Sequence, residues 1–129
     1  MSIPVDHLEA LIVSILAVNS YGLEKAYSLL PALRKSGLTD SSRVPKLKCE
    51  KVMMLLAASG YERGLLTEMM AARLVSLMKT VSDGELDGLG ELVANNKRVA
   101  AVEMLCAIRG IGPKVASDAW AMMRSGTES

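Results

Sequence analysis

The sequence predicts an all-α fold, a compact bundle of about seven short helices that ends in two helices joined at a tight corner. Apolar residues recur at helical spacing along nearly the whole chain. No segment alternates apolar and polar residues in a β-branched run, as a half-buried strand would. With 129 residues, of which 50% are hydrophobic, the chain is long enough to bury the core of one domain spanning 1–129.

Each helix has its own start and stop signals. Pro4 suits a first turn, and Leu8, Leu11, Ile12, Ile15 and Leu16 mark a face so broad that the first helix should be central. Asn19-Ser20-Tyr21-Gly22 ends it. A second helix is expected over 23–35, with Pro31 bending or interrupting it and Gly37 as its cap. The polar stretch 39–45 leads to a third helix reaching Ala58, with Val52, Leu55 and Leu56 inward. Gly60 breaks it. A long fourth helix over 62–81 stops at Ser82-Asp83-Gly84. A fifth over 85–95 is weakened by Gly88 and Gly90, a sixth runs over 97–107, and a seventh over 113–124. Residues 125–129 read as a frayed end.

The core should be aliphatic. There is one Trp, three Tyr and no Phe, against nine Met, and Met53, Met54, Met69, Met70 and Met78 fall at helical spacing as core filler. Trp120 is expected in the core beneath the corner, Tyr61 at a helix junction, and His7 exposed or capping. Cys49 and Cys106 are too few and too far apart for a disulfide framework or a metal site, and are expected as reduced, buried thiols. The longest apolar stretch, around 11–18, is too short to span a bilayer and has no basic region before it. These features predict a soluble, cytoplasmic protein without a membrane partner.

Net charge is +1, which by itself selects no partner. Its distribution is uneven. Arg43, Lys46, Lys48 and Lys51 oppose one acidic residue, Glu50; Lys97, Arg98, Arg109 and Lys114 oppose only Glu103; Asp83, Glu85, Asp87 and Glu91 form an acidic block between them. Such segregation gives either a locally basic face or ordinary solvated helix surfaces, and charge alone leaves both open.

The corner Ile108-Arg109-Gly110-Ile111-Gly112-Pro113-Lys114 carries the most chemistry. Gly110 and Gly112 permit positive φ and close approach of another backbone. Pro113 fits the first helical position, where its missing N–H costs nothing. Beyond it, the amides of Lys114 and Val115 point out of a helix N-terminus, which together with the dipole favours an anion, and Lys114 adds a full charge. Ile111 should tuck back between the flanking helices, seated by Leu105, Ile108, Val115 and Ala119.

The series Leu105, Ile108, Gly110, Ile111, Gly112, Lys114, Ala116 resembles the helix-hairpin-helix motif, placed at about 97–124. The resemblance implies binding to the phosphate backbone of double-stranded DNA without base reading. Arg109, Gly110, Ile111, Gly112, Lys114 and Val115 would make the contacts, with Lys97 and Arg98 nearby. It also implies a monovalent cation, Na+ or K+, held by the carbonyls of Cys106, Ile108 and Ile111 when DNA is bound.

More of the chain, 8–123, is similar to the endonuclease III-like DNA glycosylase superfamily. The run ending Leu16-Ala17-Val18-Asn19 is similar to that family's first barrel helix, which places Asn19 facing DNA. Ser59-Gly60-Tyr61 is similar to its G-x-Y-x-x-K-A element, although Glu62-Arg63-Gly64-Leu65 follows and the basic residue is absent. The resemblance puts Lys114 where lyase-competent relatives keep a nucleophile. That amine attacks the sugar C1′, expels the damaged base and forms a Schiff base, for which it must shed its proton. The family's carboxylate segment has no counterpart here. Past Lys114 the carboxylates are Asp118 and Glu128, and Asp118, one turn along, suits an i,i+4 ion pair. The cysteine loop that holds an iron–sulfur cluster in some relatives is also absent.

Three functions stay open on these residues. The first is a DNA-binding protein of repair type, nucleoid-associated when bound. The second is a minimal glycosylase or abasic-site lyase using Lys114 with Asp118. The third is a helical interaction domain that pairs with itself or with a partner subunit.

Overall fold

The computed structural model describes residues 5–18, 21–108 and 110–128. Helix α1 (Val5–Leu16) is the axis on which the rest is assembled. Residues 8–16 are all buried, as expected for a helix that is apolar nearly all round. Two of the nine are polar, and each is satisfied. The Glu9 carboxylate accepts two hydrogen bonds from Arg34, both 2.7 Å, and Ser14 Oγ donates to the Ala10 carbonyl one turn back at 2.8 Å.

The helix expected over 23–35, bent or interrupted by Pro31, is interrupted into two, α2 (Leu23–Ser28) and α3 (Leu30–Ser36), meeting at Leu29. Pro31 is the reason. Its ring would clash with the carbonyl four residues back in a continuous helix, so the chain restarts with Pro31 in a fresh first turn. Gly37 closes α3 in the left-handed conformation (φ 84°), its amide bonded to the Arg34 carbonyl and that of Leu38 to the Leu33 carbonyl. In the polar connection that follows, the amide and hydroxyl of Ser42 donate to Asp40 at 2.9 and 2.6 Å, holding that carboxyl below its usual range.

A short 3-10 turn (Val44–Lys46) leads to α4 (Cys49–Ala58), which packs against α5 (Leu65–Ser82). The start of α5 is tied to the end of α1. Buried Tyr61 donates its hydroxyl to the Leu16 carbonyl at 3.3 Å, and the Arg63 guanidinium donates to the Val18 carbonyl at 3.0 Å. Arg63 also lies 5.0 Å from the Tyr21 ring centre, and the Tyr21 and Tyr61 rings meet edge-on. These bonds occupy carbonyls that the end of α1 leaves without helical donors.

Turns over 83–88 precede the short α6 (Leu89–Ala94), then α7 (Arg98–Cys106) and α8 (Pro113–Glu128). The last helix therefore continues through the segment expected to fray, as far as Glu128. It lies along α1 and touches α6 and α7, burying Val115, Ala116, Ala119, Trp120 and Met123. Those residues recur at the spacing of one helical face. The result is all-α, with no strand among the described residues and no helix long and apolar enough to cross a membrane.

Two expectations about side chains are overturned. Cys49 and Cys106 are exposed, not buried, because they are the first residue of α4 and the last of α7 and sit at helix ends. The methionines divide. Met70 and Met78 are core, whereas Met54 and Met69 are exposed, because α4 buries Val52 and Leu56 and α5 buries the stripe Met70, Ala71, Leu74, Leu77, Met78 and Val81.

Candidate nucleic-acid interface

Between α7 and α8 the described residues are 107–108 and 110–112. The amide of Ile108 bonds to the Leu105 carbonyl at 3.0 Å, and that of Ile111 bonds to the Ile108 carbonyl at 3.1 Å. With these two bonds Ile111 turns inward, where it is 5% exposed and joins Leu105, Ile108, Val115 and Ala119 in the core. Burying the apolar residue at the tip leaves the flanking glycines outward, and both are exposed.

The two glycines serve different ends. Gly110 has φ 91°, a conformation that costs any L side chain. Gly112 does not lie in that region, and a Cβ placed on it would meet nothing within 4 Å. Of the two glycines that permit positive φ, only Gly110 uses that freedom, and Gly112 instead leaves open space in front of the helix.

Behind that space α8 begins. Its first turn closes when the Ala116 amide bonds to the Gly112 carbonyl at 2.9 Å. Pro113 has no N–H, so the first-turn donors without a helical acceptor are the amides of Lys114 and Val115. The Lys114 side chain is 87% exposed, and its Nζ lies 3.1 Å from Asp118 Oδ2. Asp118 also lines an open groove of about 700 Å³ between α2 and α8, walled by Leu23, Glu24, Tyr27, Ala121 and Met122.

Arg98 reaches across from α7, with its guanidinium 3.4 Å from Ser117 Oγ on α8, and Lys97 is exposed just ahead of α7. The corner thus holds Gly110, Gly112, Lys114 and Val115, and Arg98 reaches α8 at Ser117, whereas Lys97 lies at the opposite end of α7 from the corner. Asn19 and Arg109 lie outside the described residues. The other basic cluster is not part of this corner: Arg43, Lys46, Lys48 and Lys51 are exposed on and before α4, which packs against α5 and α3.

One cation went unnoticed in the sequence. Arg73, midway along α5, lies against the corner, and a Cβ on Gly110 would stand 3.4 Å from its Cγ, Cδ and Nε. In sequence it is a single arginine within an apolar helix, and only the packing of α5 beside the corner shows its place.

Of the carbonyls assigned to a monovalent cation, that of Ile108 already accepts the Ile111 amide and keeps one lone pair. Those of Cys106 and Ile111 flank it in the turn. Among the described residues no three His, Cys, Asp or Glu side chains cluster as a metal site. Fold and corner define an all-α protein with a basic, glycine-opened helix start. No protein-family model, curated protein or solved structure matches the chain.

Proposed function

We propose that this protein is a DNA-binding protein of the helix-hairpin-helix class, of DNA-repair type, that grips the duplex phosphate backbone without reading sequence. The observation that carries this reading is the corner itself. Ile111 is anchored in the core, Gly112 is open to space, and the amides of Lys114 and Val115 stand at the start of a sixteen-residue helix beside an exposed ammonium. A phosphate oxygen placed there meets main-chain donors, a helix dipole and a charge together. Backbone amides and cations position a protein on a duplex and carry no base information, so the grip is non-specific. A Na+ or K+ on the carbonyls of Cys106, Ile108 and Ile111 would add a further bridge to phosphate. Titration of duplexes of unrelated sequence, with wild type and Lys114→Ala, tests the reading. Near-equal affinities that fall together in the variant support it; absence of duplex binding rejects it.

The Lys114–Asp118 pair at the rim of the groove favours a second reading. Tyr27, 59% exposed, offers a ring in that groove for an extruded base, and Lys114 would attack the sugar C1′ as an abasic-site lyase or glycosylase. Against it, the amine faces a carboxylate as the cationic half of an ion pair and must leave it, deprotonated, to act. Borohydride trapping on abasic DNA decides. A covalent adduct lost in Lys114→Gln establishes the lyase, and no adduct leaves the binding protein.

A further inference from the structure

Against the corner, at Gly110, lies a second groove, of about 480 Å³, lined by Met69, Ala72, Arg73, Ser76 and Gly110. Met69, Arg73 and Ser76 follow one another at helical spacing on α5, opposite the stripe that α5 buries in the core. Ala72 is small and keeps the groove open beside the arginine.

The other cations that pack onto the fold are engaged. Arg34 holds Glu9, Arg63 holds the Val18 carbonyl, Arg124 holds the Val93 carbonyl at 2.7 Å, and Lys114 meets Asp118. Arg73 differs. It is half-buried, its stem lies against the main chain of Gly110, and no described residue gives its guanidinium a hydrogen bond or an ion pair. With its stem held against the corner and its five donors meeting no described acceptor, the guanidinium is poised for an anion, and its planar fork suits the paired oxygens of a phosphate. Ser76, one turn on and also half-buried, adds a hydroxyl to the same groove.

We infer that Arg73 and Ser76 form a phosphate subsite on α5, flanking the corner through Gly110, that takes a second backbone phosphate of the DNA gripped at Lys114. The inference rests on the DNA-binding reading. Gly110 and Lys114 are close in the chain, four residues that span at most about 14 Å when fully extended, so one stretch of backbone can meet both cations. Gly110 gains a second reason to lack a side chain, because anything beyond Cβ there would displace Arg73 from the groove.

Two measurements test it with the full chain. In the first, duplex affinity is followed against salt for wild type, Arg73→Gln, Lys114→Gln and the double variant. Each phosphate contact adds about 0.9 to the slope of log affinity on log salt. Arg73→Gln should flatten that slope by about one unit, the double variant by about two, and Arg73→Lys should restore it. A slope and affinity equal to wild type in Arg73→Gln overturn the subsite.

In the second, inorganic phosphate is titrated and the amide resonances of Ser76 and Gly110 are followed by NMR. Saturable shifts in wild type and in Lys114→Gln, absent in Arg73→Gln, support the subsite; shifts that persist in Arg73→Gln overturn it. If wild type binds phosphate at these amides but no duplex, the DNA reading fails and the groove serves a free phosphate ion, which contradicts the inference as stated. If neither binds, both fail. Arg73 bonds to no described residue, so Arg73→Gln should unfold at the wild-type temperature, which separates lost contact from lost fold.

Discussion

Lys114 and Asp118 form an i,i+4 pair of 3.1 Å on the first turns of α8, with the ammonium side toward the helix N-terminus. That order is the less favourable one. A cation at a helix N-terminus opposes the dipole, and an acid following a base along the helix gains less than the reverse. The pair offsets a local electrostatic cost without removing it. A lysine kept at a position where it opposes the helix suits a residue placed for an anionic partner.

Removing that charge should therefore help folding and harm binding. Lys114→Gln is expected to leave stability unchanged or raise it by about 0.5 kcal/mol, while duplex affinity falls. Urea denaturation beside a binding titration checks both signs, and a variant that is clearly less stable would contradict the account.

Asp118→Asn should act in the opposite sense on binding. It frees Lys114 and removes a negative charge from beside the expected phosphate. Duplex affinity should rise a few-fold at low salt, the gain shrinking as salt increases, and stability should drop by no more than about 0.5 kcal/mol. Unchanged affinity at low salt would place Asp118 away from the bound backbone.

The two glycines should separate stability from binding. Gly110→Ala puts a Cβ on a residue at φ 91° and should cost about 1–2 kcal/mol. Gly112→Ala meets no atom and loses only a modest cap preference, on the order of 0.5 kcal/mol, yet it fills the space a phosphate would enter. Chemical denaturation and duplex binding on both variants should show Gly110→Ala as mainly the less stable and Gly112→Ala as mainly the weaker binder.

Away from the corner, the Glu9–Arg34 bond is the test of the core. Glu9 Oε1 and Oε2 each accept from Arg34 at 2.7 Å, and the glutamate side chain is 7% exposed. Arg34→Ala strands that carboxylate among α1 neighbours. Because Arg34 is itself 54% exposed, the loss should be about 2–3 kcal/mol, below the cost for a wholly buried pair. Thermal unfolding of Arg34→Ala reads it, and a shift within error would mean water already reaches Glu9.

Much of this fold is legible in the chain because helices announce themselves locally. The broad apolar face of α1 predicts its central place, and Pro31 predicts a break whose position, Leu29, only the packing fixes. Ile111, Trp120 and the Lys114–Asp118 pair follow from spacing along one or two turns. What was misread depends on which side of a helix faces the rest of the molecule. Met54 and Met69 sit at helical spacing and still face outward, because periodicity finds a stripe and does not say which edge of it is covered. Cys106 follows an apolar neighbour and Cys49 precedes the apolar run of α4, but both occupy helix ends. Arg73 was invisible for the same reason at longer range: its meaning lies in a contact with Gly110 that no local pattern encodes.

The salt dependence of duplex binding, measured for wild type and Lys114→Gln on several unrelated sequences, tests the central claim most directly. The account predicts affinity that falls steeply with salt, with little difference between sequences, and a slope about one unit shallower in the variant. Affinity that is indifferent to salt, or a slope that Lys114→Gln leaves unchanged, would contradict a phosphate grip at this corner.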